Sequence, residues 1–397
     1  IADWQGRTIL TEDGLLLARD LAAGTPQPFD FRTLLLRDGP EGDRGAVAIL
    51  RDGKGPDHLA LVAKNTSQGM GHGHFDKLSW QLYDNGHEIV RDYGAARFLN
   101  VVAKEGGRYL PENESWAKQT VAHNALVVNG TSHFGGAADL ADRHAPRQLH
   151  FSSVPGLQLS SARIDTAYPE SPVAMQRTLA LVDVAGLASP GVIDVLRATG
   201  ETANTYDLPL HYAGHIIETG FAVDRELAGR PVLGNSHGYQ HIWVDGTARV
   251  QGNGAFMTWL LGGRFYSYRI SAQPDLQVIL GESGANDPAF NLRREPLVIQ
   301  RVEGAKETTF VSLLEPHGMS DGATEQTVDS QSLIASLRHR KHNGYDLVIV
   351  ETKRGGKTVL AISNDTDPDK QHRANIDGRM VRWTGFAERI DLAGEKN

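Results

Sequence analysis

From His58 onward, apolar and polar positions alternate in short runs separated by Gly, Asp, Asn and Pro. HLALVAKN, KLSWQLY, EIVRDYG and HNALVVN open the series. LQLSSARI, MQRTLALVDV, GVIDVLRA and TYDLPLHYAG continue it, and it ends through YDLVIVET, KTVLAISN and MVRWTGF. Each run is rich in β-branched or aromatic residues and is bounded by turn formers, a pattern that predicts strands. So many short strands predict an all-β chain, a large antiparallel β-sandwich or stacked sheets. The strongest local signal is Asp84-Asn85-Gly86 between LSWQLY and HEIVRDY, which predicts a two-residue β-hairpin. HGMSDGATEQTVDSQ reads as a loop and marks off a small C-terminal sheet.

The pattern differs before His58. LTEDGLLLARDLA is helix-compatible, with Thr11 as N-cap. The Pro-, Gly- and Asp-rich stretch from Gly24 to Pro56 has the composition of a connector, although its runs TLLL and AVAIL fit strands or a helical turn. The expected division is therefore 1–56 as linker and tail of a preceding helical domain, 57–320 as the main β domain, and 321–397 as the small sheet.

Composition narrows the function. Forty-three glycines in 397 residues agree with many turns. The net charge of −8, from 40 basic and 48 acidic residues, leaves no global basic footprint and argues against nucleic acid as partner. An anionic ligand would need a local positive field. With no cysteine, metal chemistry is restricted to His and carboxylate. No apolar run is long enough for a membrane-spanning helix.

Chemistry-bearing residues concentrate between Asn65 and Asn129. His72 and His74 are spaced so that an extended backbone turns both imidazoles to one face, and Gly69, Gly71 and Gly73 let a ligand or backbone approach closely. Asp92 follows the hairpin, and His123 lies in TVAHNALVV, which reads as a core strand where a histidine needs a partner or a metal. A straight ladder would set Asp92 opposite Ser79, so His74 and Asp92 can share an ion only if the chain bends near Phe75-Asp76. Two histidines and a carboxylate with an open position suit zinc. A buried His-Asp hydrogen bond without metal is the alternative. Elsewhere, Tyr239-Gln240-His241 reads as structural or sugar-contacting, and Arg293 and Arg294 as carboxylate binders or a surface ion-pair network. His133, His144 and His150 receive no role.

The string GHGHFDKLSWQLYDNGHEIVRDYGAARFLN, followed by GGRYLPENESWAKQTVAHN, resembles the heparinase II/III-like domain of the oligoalginate lyases, polysaccharide lyase family 17. The likeness continues through GYQHIWV, RFYSY and GANDPAFNLRRE. It implies a β-rich domain that packs against a preceding (α/α) toroid, absent from this sequence and expected upstream or in trans. It further implies β-elimination on alginate oligosaccharides, with exolysis as the family expectation, His72 on the catalytic side and Tyr109 a phenol near the leaving group. Arg97 is implied as a substrate contact together with Tyr109 and His72, and His74, Asp92 and His123 as ligands of a structural Zn2+. The carboxylate-neutralising Asn and His and the principal acid/base Tyr belong to the toroid. A bacterial periplasmic or secreted location is also implied, and homodimerisation is left open. The alternatives are a heparin-type glycosaminoglycan lyase, a zinc hydrolase using Glu105, Glu112 or Glu114, and a non-catalytic carbohydrate-binding β-sandwich.

Overall fold

Asn85 and Gly86 adopt φ of 50° and 73°, the left-handed pair that a tight two-residue hairpin requires, and Asp84 pairs with His87 across them. In the computed structural model, which describes residues 18–24, 31–55, 57–67, 72–96, 110–225, 229–286 and 291–392, this hairpin joins β4 (Ser79–Asp84) to β5 (His87–Val90). A bulge between Leu82 and Tyr83 shifts the register, so Leu82 lies opposite Val90. The five-stranded sheet is completed by β1 (Leu34–Arg37), β2 (Gly45–Arg51) and β3 (Ala60–Thr66), in the order β1-β2-β3-β4-β5. TLLL and AVAIL are thus strands. The connector reading of 1–56 fails from Leu34 onward because alternate residues of β2, Ala46, Ala48 and Leu50, are buried. Residues 18–22 are helical, as expected, whereas Thr11 lies outside the described residues.

The second sheet has eleven strands. In chain order they are β6 (Val127–Val128), β7 (Arg147–Val154), β8 (Leu157–Ile164), β9 (Val173–Val182), β10 (Gly191–His211), β11 (His215–Thr219), β12 (Ile242–Arg249), β13 (Ala255–Leu261), β14 (Arg264–Ile270), β15 (Gln277–Ser283) and β16 (Pro296–His317). GVIDVLRA and TYDLPLHYAG, read as separate runs, form the single 21-residue β10. Its exposed polar middle continues because β16, itself 22 residues long, runs alongside it and pairs with both halves.

Beyond it, β17 (Met319–Asp321) and β18 (Gln326–Val328) form a hairpin inside the expected loop. A four-stranded sheet follows, β19 (Ile334–His342), β20 (Tyr345–Thr352), β21 (Lys357–Ser363) and β24 (Ala387–Leu392), with a two-stranded ribbon of β22 (Gln371–Ile376) and β23 (Arg379–Thr384).

Strand periodicity stacks these sheets. On β10, Val192, Leu196 and Ala198 join a core shared with Leu50, Leu61 and Leu82 of the five-stranded sheet. Their neighbours Ile193 and Val195 face the other way, into a core with Val348, Val350 and Leu360. Leu347, Ile349 and Val359 then pack against Ala374, Val381 and Trp383 of the ribbon. The all-β, antiparallel expectation holds.

Candidate functional site

Residues 72–78, which lead into β4, meet residues 117–133, which flank β6. Three hydrogen bonds tie them. Phe75 N donates to Lys118 O at 2.9 Å, the Thr120 hydroxyl donates to Phe75 O at 2.6 Å, and Lys77 N donates to His133 Nδ1 at 3.2 Å. The bend required near Phe75-Asp76 is present one step later. Ser79 N closes a turn on Asp76 O, and Leu78 takes φ of 63°, an unusual conformation for a bulky residue.

His123 is not on a strand. It follows the 3-10 turn Thr120–Ala122, and the ladder resumes only at Val127–Val128. The segment is nevertheless fully buried, so its backbone and its neighbours need other partners. Asn124 supplies them by donating to Trp80 O at 2.8 Å and Arg91 O at 2.7 Å and accepting from His211 N at 2.7 Å. Arg177, also buried, forms a bidentate pair with Asp194 at 2.8 and 2.6 Å. It donates as well to Leu78 O at 2.9 Å and to Asn124 O. One amide and one guanidinium thus take over the work of a missing ladder.

This scaffold sets the chemistry. The His74 and His123 rings lie 5.0 Å apart, centroid to centroid. His123 Nε2 donates to Ala117 O at 3.0 Å, which leaves Nδ1 in close contact with Asp92 Oδ1. Burial lowers the His123 pKa, but the Asp92 carboxylate outweighs it and the net shift is upward. Burial likewise raises Asp92, and His123 reverses this to hold it well below the usual carboxylate range. Burial first, and the charge of His123 second, push His74 down to about 4, so its ring is neutral near pH 7 with a lone pair available. His74, Asp76 and His123 place one donor atom each within 4.8 Å of one another. Zinc bonds of about 2.1 Å at tetrahedral angles need donors roughly 3.4 Å apart, which small side-chain adjustments supply, so the residues fit the ion.

The expected residues therefore divide. Among the described residues His74 and His123 come together with Asp76, a carboxylate the sequence reading did not choose, which Lys64 Nζ contacts, while Asp92 contacts His123 and lies outside that three-donor group. His72 is exposed and outside this group. Arg97 and Tyr109 lie outside the described residues, as does Glu105. His133, given no role from sequence, is buried and holds the bend. Its Nε2 donates to Leu126 O at 3.2 Å, and burial, with the Lys77 charge, lowers its pKa to about 3. The His74-x-Asp76 spacing was the one sequence signal for Asp76. His241 is buried, accepting from the Ser115 hydroxyl at 3.0 Å and donating to Ala285 O at 3.2 Å. Arg293 pairs with Glu295 and Arg294 with Glu282, the ion-pair network of the two readings.

Antiparallel sheets bearing such a His/carboxylate junction define a class. Residues 35–324 match the family described as heparinase II/III-like, C-terminal, and the chain belongs to that family. Residues 352–389 match the C-terminal domain described as exo-oligoalginate lyase-like. Among individual proteins, the chain is 49% identical over 390 residues to the exo-oligoalginate lyase of Saccharophagus degradans, covering 98% of this chain and 53% of that protein. It is 47% identical over 391 residues to the alginate lyase of Stenotrophomonas maltophilia, covering 98% and 52%. The chain thus spans about half the length of the curated relatives it matches. Among solved structures, a heparinase III shares the fold at a TM-score of 0.57 and 12% identity, over 87% of this chain and 44% of that one. The heparan sulfate lyase HepC of Pedobacter heparinus does so at 0.52 and 13%, over 92% and 44%.

Proposed function

We propose that this chain is the β domain of a lyase that cleaves alginate oligosaccharides by β-elimination, from the chain end. The carrying observation is the near-half identity to two named alginate lyases along almost the whole chain. Elimination requires that the C5 carboxylate be neutralised, the C5 proton removed and the glycosidic oxygen protonated as it leaves. On this reading exposed His72 and the Tyr109 phenol act on the substrate, and the Arg97 guanidinium grips a uronate carboxylate in the bidentate manner available to arginine. An (α/α) toroid, upstream or in trans, contributes the opposing wall. The setting is bacterial, periplasmic or extracellular.

The same reading gives the His/carboxylate junction a structural zinc ion held by His74, Asp92 and His123. His123 Nε2 is committed to Ala117 O and Nδ1 to Asp92 Oδ1, so on this reading the ion would enter between Nδ1 and the Asp92 carboxylate in place of their shared proton. Asp76, engaged by Lys64, is the carboxylate grouped with His74 and His123, and on this reading Asp92 takes its place as ligand. When bound, the ion would supply a positive charge that pins the two loops, while the bonds made by Phe75 N, the Thr120 hydroxyl and Lys77 N orient the ligands.

The test is an assay of alginate oligomers with the 397-residue chain, alone and with a relative's toroid domain added. Elimination creates a conjugated double bond, so ultraviolet absorbance of the product should rise once both domains are present and stay low with the chain alone. Cleavage without that absorbance would replace elimination by hydrolysis.

A further inference from the structure

At the rim between the eleven-stranded and four-stranded sheets lies a cleft that the proposed reaction does not use. It holds about 330 Å³ and is lined by Glu218, Asn253, Phe256, Arg269, Gln331 and Lys353, a size at the lower end of small-ligand sites, roughly 300–1,000 Å³. Strand register puts one wall on a single face. Phe256 of β13 lies opposite Arg269 of β14, and Glu218 of β11 lies opposite Thr258, two residues along β13 from Phe256. Alternate residues of a strand share a face, so these side chains project together. They project toward the four-stranded sheet, since Leu313, opposite Arg269 on β16, belongs to the core with Val348 and Leu360. Tyr268 and Ile270, on either side of Arg269, turn the other way, into the core shared with the five-stranded sheet.

The groups in the cleft are held in place yet left unpaired. The Arg269 guanidinium lies over the Phe256 ring at 4.8 Å, and that ring is so close to the Gly220 backbone that a Cβ there would meet it at 1.9 Å. Among the described residues Arg269 makes one side-chain hydrogen bond, from Nη2 to Ile334 O at 2.8 Å, and its Nε is buried with no partner. A buried donor without a partner is costly. Burial lowers the Arg269 pKa, and the Glu315 charge that opposes this has its carboxylate taken by the Ser332 hydroxyl and Leu333 N. Among the described residues none of Arg269, Lys353 and Glu218 forms an ion pair, although all three line this one cleft. Two cations and a carboxylate that face a common space without closing on each other suit a guest with two kinds of group. A carboxylate matches the guanidinium fork, and hydroxyls can donate to Glu218 and bond the Asn253 and Gln331 amides.

We propose that this cleft is a second saccharide site that takes one uronate ring of an acidic oligosaccharide. Arg269 binds the ring carboxylate with Lys353 as the second cation, Phe256 backs the guanidinium, and Glu218, Asn253 and Gln331 meet the hydroxyls. The inference rests on the alginate reading for the kind of sugar acid, not for the existence of the site. It gives the chain a means of holding polymer on the side of the eleven-stranded sheet away from the five-stranded sheet.

Hydrogen exchange of the 397-residue chain reads the cleft locally, with alginate trisaccharide, hyaluronan tetrasaccharide, maltotriose and triglutamate as probes. With alginate trisaccharide at ten times its dissociation constant, exchange that proceeds through opening of the cleft at 253–256 and 331–335 should slow about tenfold. Maltotriose, which lacks carboxylates, and triglutamate, which lacks hydroxyls, should leave it unchanged. Ala335→Trp, which fills the cleft from an exposed position, and Lys353→Glu, which reverses an exposed charge, should abolish the protection. Arg269→Lys keeps the charge and loses the fork, so it should weaken affinity about tenfold. Absence of protection by both acidic saccharides, equal protection by maltotriose or triglutamate, or protection that survives Ala335→Trp would overturn the proposal. Protection by the hyaluronan fragment alone would keep the site and displace alginate as its sugar. Protection by alginate without an ultraviolet signal in the two-domain assay would sink only the lyase reading, so the two failures are distinguishable.

Discussion

The two ends of the β10–β16 ladder and residues 120–128 are all buried, yet they are buried by different means. In the ladder, successive residues such as Val192 and Ile193 turn to opposite cores, and backbone pairing runs along a long register broken only between Thr199 and Tyr206. In the 117–133 segment there is almost no ladder; instead its Asn124, Thr120 and His133 side chains bond the backbone of the segments around it, and Arg177 bonds Leu78 O and Asn124 O. Apolar alternation builds a frame that tolerates exchange of one hydrophobe for another of similar size. A polar network fixes unique positions at the cost of depending on each member, and the chain places its histidines where such positions are fixed.

The comparison breaks most sharply at Arg177. Arg177→Ala leaves Asp194 buried without its cation and frees Leu78 O and Asn124 O, a loss of about 3–5 kcal/mol. Urea unfolding should register it, and a loss below about 1 kcal/mol would show that the network is dispensable. A matched pair sharpens the contrast. Asn124→Ala, which strands two carbonyls and the His211 amide, should cost about 2–4 kcal/mol, close to the range expected for Leu313→Ala in the second core. Only the Asn124 variant should also lower zinc affinity, because only it releases the segment carrying His123. Equal zinc binding by both variants would erase the distinction between the two regions.

A smaller effect comes from pH. Burial depresses His211 to about 4 and His133 to about 3, against 6.5 for the exposed group. Above pH 6.5 both are neutral whether the chain is folded or not. Below it the unfolded chain takes up protons that the folded chain refuses, so stability falls as pH drops from 6.5 toward 4, by about 1.4 kcal/mol per pH unit for each histidine. Urea midpoints at pH 6.5 and 4.5 should lie closer together in His211→Phe than in the unaltered chain. Identical slopes would remove His211 from this account.

What the sequence made legible follows the same division. Alternation identified the strands of the ladder, and Asn85-Gly86 identified the hairpin, because both signals are local. The fusion of GVIDVLRA and TYDLPLHYAG into β10 was not legible, since the polar stretch between them reads as a turn until β16 is seen beside it. TVAHNALVV looked like a strand because six of its nine residues are apolar and three of those are valines. Its hydrogen-bond partners, Trp80, Arg91 and His211, are distant in sequence, so nothing nearby shows that they replace a ladder. The same distance hid His133 and Arg177. Asp92 lay beyond the reach of a straight register, and the bulge at Leu82 together with the bend at Leu78 brought it to His123.

The claim that zinc pins the two loops is tested most directly by metal content measured together with thermal unfolding on the purified chain and on His74→Ala, Asp92→Asn and Asp76→Asn. The account expects one zinc per chain, lost with a lowered melting temperature in the first two variants and retained in Asp76→Asn. Full thermal stability in a zinc-free His74→Ala protein would contradict it.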